Sequence, residues 1–150
     1  KLTAIESSIQ LFAENTNEKF DIIVSNPPFF VESLKSDKNH RNLARHTDSL
    51  PFETLIENVN ILIKDDGIFA CILPYKEGYQ FIDIANKHNL FCQQITHVAN
   101  KPSHAIKRIL FTLSKKKSDT ITSPTLFIRN EDNSYSKEYL ELTMDFYTFI

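Results

Sequence analysis

Phe20-Asp21-Ile22-Ile23-Val24-Ser25-Asn26-Pro27-Pro28-Phe29-Phe30 is the stretch that decides the fold. Its first six residues are mostly apolar and rich in β-branched side chains, and two prolines that cannot donate a ladder hydrogen bond stop the run, so the pattern predicts a buried strand over 20–25. A second run of this kind, Ile68-Phe69-Ala70-Cys71-Ile72-Leu73, is entered through a Lys64-Asp65-Asp66-Gly67 turn and closed by Pro74. Between the two, Phe52, Leu55, Ile56, Val59, Leu62 and Ile63 recur at helical spacing, with Ser49 as N-cap and Pro51 and Glu53 in the first turn. Strand, helix and strand, with strands this continuously apolar, predict an α/β parallel sheet covered on both faces.

Further out, Phe81, Ile84, Ala85 and His88 share one face of a helix expected over 77–88. Residues 90–98 and 106–113 read as two strands that a short loop containing Pro102 can join only as an antiparallel pair. A short strand is expected over 125–129 and a helix over 136–146. At the front, residues 2–5 read as a clipped strand, followed by a short helix over 9–12. The chain thus opens as if in mid-fold, with nothing before it to supply the first strands of a doubly wound sheet.

At 150 residues and 41% hydrophobic, the chain carries one core's worth of apolar material. Its two glycines, Gly67 and Gly78, exclude a G-x-G-x-x-G phosphate loop within it. Cys71 and Cys92 each sit in an apolar run and read as small hydrophobes, since two thiols give neither a disulfide framework nor a zinc site. His97 and His104 have no second ligand at metal spacing, so no metal is expected, and no Ser-His-Asp or Cys-His arrangement presents itself. Without a long apolar span or a charged-then-apolar leader, the reading is cytoplasmic, with no membrane.

The net charge of −2 hides an uneven distribution. Lys101, Lys107, Arg108, Lys115, Lys116 and Lys117 fall in a stretch with no acid, and 35–46 holds Lys35, Lys38, Arg41 and Arg45 with His40 and His46 against a single Asp37. Two cationic segments on a near-neutral body suit a local polyanion surface. Lys115 to Lys117 alone read as a solvated turn. Residues 31–48 form a long, weakly apolar loop in which Lys35, Arg41, Arg45 and His46 could hold the phosphates flanking a flipped nucleotide.

The chemistry belongs to Asn26-Pro27-Pro28-Phe29. In open α/β sheets ligands sit beyond the carboxyl ends of the strands. Pro27 forces Asn26 to be extended and Pro28 does the same to Pro27, which leaves a stiff backbone with outward carbonyls and an outward Asn26 amide. Asn26 Oδ1 and the Pro27 carbonyl can then accept the two protons of a planar amine such as the adenine N6-amino group, while Phe29 stacks on the ring. Held toward a pyramidal geometry, the amine frees its lone pair to attack an electrophilic methyl.

These residues resemble the Asn-Pro-Pro-Phe motif of amino-group methyltransferases that use S-adenosylmethionine on a Rossmann-like sheet. The longer run 20–30, then Arg41-Asn42-Leu43-Ala44-Arg45-His46, with Lys107-Arg108-Ile109-Leu110 and the ending Tyr139 to Phe146, is similar to the bacterial tRNA1(Val) (adenine(37)-N6)-methyltransferases. The resemblance implies the carboxyl-terminal part of one Rossmann-like methyltransferase domain, spanning 1–150, with an antiparallel strand pair at one edge. It also implies N6-adenine methylation of tRNA with S-adenosylmethionine, with Asn26, Pro27, Pro28 and Phe29 at the target base. Ser8, Ile9 and Asn26 would lie toward the cofactor, and Lys35, Arg41, Arg45, His46, Lys101, Lys107 and Arg108 toward RNA. The family's glycine-rich cofactor loop and its ribose-binding acid would precede Lys1, and Ser8 stands where many relatives carry an acid. The expectation is that the chain alone binds cofactor poorly and that its uncovered sheet self-associates. Two rivals remain open: methylation of a glutamine amide or of DNA adenine, and a non-catalytic RNA-binding domain.

Overall fold

A computed structural model describes residues 2–27 and 51–147. In chain order the elements are α1 (Ile9–Asn15), β1 (Phe20–Ser25), α2 (Phe52–Leu62), β2 (Ile63–Pro74), α3 (Tyr75–Lys87), β3 (Phe91–Ala99), β4 (Arg108–Ser114), β5 (Ile121–Thr122), β6 (Leu126–Phe127) and α4 (Lys137–Thr143). The strands form one mixed sheet in the order β1-β2-β4-β3-β5, with β6 also on the outer side of β3. β1 and β2 run parallel, and β4 lies antiparallel between β2 and β3, so β1, β2 and β3 all point the same way. The expected antiparallel pair is therefore present, inserted beside β2 and flanked outside by β5 and β6.

Alternation along the strands decides where the core sits. Phe69, Cys71 and Leu73 of β2 stand level with Leu113, Phe111 and Ile109 of β4, and all six are buried on the face that α2 and α3 cover. From α2, Leu55, Ile56, Val59 and Leu62 enter this core, and from α3, Phe81, Ile82 and Ala85. Phe81 is central: its ring lies 5.0 Å from that of Phe52, 5.9 Å from Phe69 and 5.6 Å from Phe111. Gly78 explains how α3 comes so close, because a Cβ there would overlap the buried side chain of Ile109. The helix ends in a Schellman motif: Asn89 takes φ 60°, its N–H reaches the Asn86 carbonyl at 3.3 Å, and Leu90 N–H reaches that of Ala85 at 3.0 Å. Leu90 is fully buried and fastens the turn into β3.

Several expectations need correction. Residues 2–5 form no strand, and Leu2 and Ile5 are exposed, since a short apolar run that joins no ladder is not held extended. Lys64 to Gly67 is not a turn before β2 but part of it, bulged so that Phe20 pairs with Ile63 and Ile22 already with Ile68. Lys64 leans out to Asp21 at 2.7 Å and holds that carboxyl below its ordinary range. The residue capping α2 is Pro51, whose carbonyl accepts from Leu55 N–H at 3.1 Å, and Ser49 lies outside the described residues. The strand expected over 125–129 shrinks to Leu126–Phe127 with a single bridge from Arg129 to Tyr135, and Ile121–Thr122 adds a short strand that polar flanks concealed. The last helix covers Lys137–Thr143, with Ser136 as its N-cap accepting from Tyr139 N–H at 3.1 Å. Coverage of both sheet faces also fails among the described residues: on the side away from α2 and α3, Ile22, Val24 and Ile68 are exposed.

Candidate functional site

β1 ends at Ser25, level with Cys71 of β2, so Asn26 and Pro27 step out beyond the carboxyl end of the strand beside Ile72 and Leu73. Asn26 is exposed while Pro27 is buried. At this elbow, an exposed Asn26 before a buried Pro27 leaves the carboxamide open to solvent and the proline ring packed against the protein. Against this elbow, on the open face of the sheet, lies a hollow of about 270 Å³ lined by Val24, Ser25, Ala70, Ile72, Thr96 and Leu110, among others. Its mostly apolar walls carry a few hydroxyls, and it reaches the elbow through Ser25, the residue before Asn26, so it can take a flat ring next to a hydrogen-bonding group. Pro28 and Phe29 lie outside the described residues, as do Lys35, Arg41, Arg45 and His46.

The other expected site residues separate. Ser8 caps α1, and its hydroxyl accepts from Leu11 N–H at 3.2 Å, while Ile9 packs its side chain against the core. Residues 16–19 join the carboxyl end of α1 to the amino end of β1, so Ser8 stands at the opposite end of that helix. In contrast, the register brings Arg108 level with both Pro74 and Val98, which puts Lys101, Lys107 and Arg108 at the same carboxyl edge as Asn26. Lys107 is exposed and its carbonyl accepts from Tyr75 N–H at 3.1 Å. Lys101 Nζ is engaged with the Glu131 carbonyl at 3.1 Å, and Glu131 in turn accepts from Ser103 N–H at 2.8 Å and from its hydroxyl at 2.9 Å. Those donors hold the Glu131 carboxyl below its ordinary range.

Lys115, read as part of a solvated turn, is half-buried and donates to the Ile63 carbonyl at 3.2 Å and to Asp65 at 3.1 Å. Lys116 and Lys117 are exposed. Cys71 and Cys92 are free and buried, as their apolar runs suggested, and burial pushes the Cys71 thiol up to about 12. Among the described residues no group of His, Cys, Asp or Glu could hold a metal ion, and no helix is long and apolar enough to cross a membrane.

One cluster escaped the sequence reading. Tyr75, Tyr79 and His97 meet at the carboxyl edge: Tyr79 Oη lies 3.0 Å from His97 Nε2, and the Tyr75 ring is 5.2 Å from Tyr79 and 5.9 Å from His97. Burial raises the Tyr79 hydroxyl above its ordinary value. The available signal was two tyrosines four residues apart on a helix that starts where Pro74 stops a strand.

No protein-family model matches the chain. Among curated proteins, it is 37% identical over 98% of its length to the tRNA1(Val) (adenine(37)-N6)-methyltransferase of Flavobacterium psychrophilum. It is likewise 38% identical over 95% of its length to the protein of that name from Pseudoalteromonas translucida. The chain spans 62% and 60% of those two proteins. Among solved structures, one from Agrobacterium tumefaciens described as a predicted O-methyltransferase superposes with a TM-score of 0.65 at 15% identity, covering 93% of this chain and 58% of that one. The two chains share one α/β fold.

Proposed function

We propose that this chain is the substrate-holding part of a tRNA N6-adenine methyltransferase that takes its methyl group from S-adenosylmethionine. The observation that carries the reading is the elbow after β1: an exposed Asn26 amide on a buried Pro27, at the carboxyl end of a parallel strand and beside an apolar hollow. The relatives' shared name supports tRNA over DNA or a glutamine side chain as the substrate, and adenine N6 as the target.

In this reading Asn26 Oδ1 and the Pro27 carbonyl each accept one proton of the N6-amino group. The two bonds bend the amine out of the ring plane and turn its lone pair toward the methyl donor. S-adenosylmethionine supplies a methyl on a sulfonium, and the amine nitrogen forms its new bond to that carbon as the carbon-sulfur bond breaks. The surplus N6 proton leaves to solvent once the nitrogen is cationic, so no strong base is needed. Pro28 stiffens the elbow and Phe29 stacks on the adenine. Of the residues assigned toward the cofactor, Asn26 fits best, because the Ser8 hydroxyl already serves as a helix cap and the Ile9 side chain is taken up by the core.

Lys107 and Arg108 at the same edge, with Lys35, Arg41, Arg45 and His46 in the segment after the elbow, supply phosphate contacts, and Lys101 contributes from the neighbouring loop. Changing Arg41 and Arg45 to Ala weakens tRNA binding and flattens its dependence on salt. Location in the cytoplasm follows from the substrate. The exposed Ile22, Val24 and Ile68 support self-association through the open face.

The test is Asn26→Ala in the protein carrying this chain, assayed on a tRNA transcript, a glutamine-containing peptide and duplex DNA. Methyl transfer to tRNA should fall by at least about a hundredfold, as for loss of a preorganised hydrogen-bonding group, while tRNA affinity stays within a few fold. Unchanged methylation overturns the role of Asn26. Methylation of the peptide or the duplex in preference to tRNA overturns the substrate.

A further inference from the structure

We infer that Tyr75 is a stacking platform for an RNA base next to the target adenine, an inference that rests on the RNA-methylating reading above. The residue is 40% exposed, high for a tyrosine opening a helix whose inner face carries the core, and it sits at the carboxyl edge of the sheet. It is not a loose surface side chain. Its backbone N–H is fixed to the Lys107 carbonyl at 3.1 Å, its ring forms a T-shaped pair with Tyr79 at 5.2 Å with the planes at 66°, and His97 lies tilted beside it at 5.9 Å. Tyr79 is itself fixed by the 3.0 Å hydrogen bond to His97. One side of the Tyr75 ring is thus held by two other rings while the remainder meets solvent, so its orientation is set before anything binds and little rotamer entropy is lost on stacking.

Position selects the ligand. The last paired residue of β1, Ser25, is level with Cys71, and Tyr75 follows four residues later where β2 gives way to α3, so the platform stands one strand over from the elbow at the same carboxyl edge. Neighbouring strands lie about 4.8 Å apart, which puts Tyr75 within reach of a base flanking one held at Asn26. Lys107 is exposed next to it, and the first amides of the 13-residue helix α3 point the same way, so a flanking phosphate meets positive charge as the base meets the ring. Extruding an adenine unstacks its neighbours, and a ring that takes up one of those neighbours offsets part of that cost.

The experiment uses the protein carrying this chain and tRNA1(Val) transcripts with 2-aminopurine beside the target adenine. Wild-type binding should quench the fluorophore. Tyr75→Ala and Tyr75→Leu, the second keeping an apolar contact on Tyr79, should lose the quench and bind about tenfold more weakly, whereas Tyr75→Phe should stay within about twofold of wild type. The loss should be the same at low and high salt, in contrast to Lys107→Ala, which flattens the salt dependence. Full quench and wild-type affinity in Tyr75→Leu, with methylation intact, overturn the platform and leave the methyltransferase reading standing. A quench that depends on Tyr75 in a wild-type protein that transfers no methyl to tRNA overturns the methyltransferase reading and supports the platform. Absence of any RNA binding by the wild type overturns both.

Discussion

The face of the sheet beneath α2 and α3 and the face turned away from them are made by the same strands, one residue in two, yet they have different fates. Beneath the helices, Phe69, Cys71, Leu73, Ile109, Phe111 and Leu113 are closed off from water. On the other side Ile22, Val24 and Ile68 are exposed, and Ala70, Ile72 and Leu110 are half-covered around the hollow. Both sets are apolar, so composition alone does not separate them. The closed face holds the fold together; the open one borders the elbow that the proposed chemistry needs, and an apolar floor there suits a flat heterocycle better than a packed layer would.

The sharpest test of that division is Phe81→Ala. Its ring is fully buried among Phe52, Phe69 and Phe111, and removing it leaves a cavity that a rigid sheet cannot fill by collapsing. Stability to urea should fall by about 3–5 kcal/mol, with the slope of the transition unchanged. A loss under about 1 kcal/mol would mean that the helices do not seal this face.

A smaller effect belongs to Cys71, on the same side. Its thiol is pushed up to about 12 by burial, against an ordinary value of 9.0. The neutral thiol is what the folded state holds, so its contribution is complete below pH 9. Between there and pH 12 the unfolded chain releases a proton that the folded one keeps, and stability falls by up to about 1.4 kcal/mol per pH unit. Cys71→Ala should be less stable near neutrality, yet show a shallower alkaline decline when urea unfolding is followed across that range. An unaltered decline would show that the thiol is not sealed in. In the same sense, neither Cys71 nor Cys92 should react with a thiol reagent until the chain unfolds.

What the sequence disclosed followed the strength of local pattern. Ile22 to Val24 and Ile68 to Leu73 are β-branched runs with proline stops, and Phe81 with Ala85 marks a helix face, so the parallel pair, its crossover helix and α3 were readable from spacing. Of the elbow only Asn26 and Pro27 fall among the described residues, so the shape that consecutive prolines should impose stays an expectation. The misreadings came where tertiary partners decide. Lys64 to Gly67 has turn composition but is drawn into β2 by pairing with β1 and by the Lys64 contact to Asp21. Residues 2–5 have strand composition but pair with no strand among the described residues. Ser8, assigned by resemblance toward a cofactor, makes the local hydrogen bond of an N-cap serine, which spacing alone did not single out. Tyr75, Tyr79 and His97 converge only because β4 inserts between β2 and β3 and sets all three ends level, a placement that no window of sequence contains.

The smallest expected effect on stability tests the open face from the other direction. Val24 is the next-to-last residue of β1, an apolar residue that is 76% exposed. In a strand buried on both faces, Val24→Lys would bury an unpaired ammonium and unfold the domain. On an open face the lysine stem lies along the sheet and its head stays in water, so the change in unfolding free energy should stay within about 0.5 kcal/mol at low protein concentration. The same substitution should reduce binding of a hydrophobic dye, and should lower any self-association seen by sedimentation, because it places a charge beside the Ile22–Ile68 pair on the same face. The two readouts constrain each other. A loss of several kcal/mol that grows with protein concentration means that a second copy covers this face, since only an assembled state gains stability by mass action. A loss of that size independent of concentration means that the chain itself covers the face, and the contrast between the two sides of the sheet would then be gone.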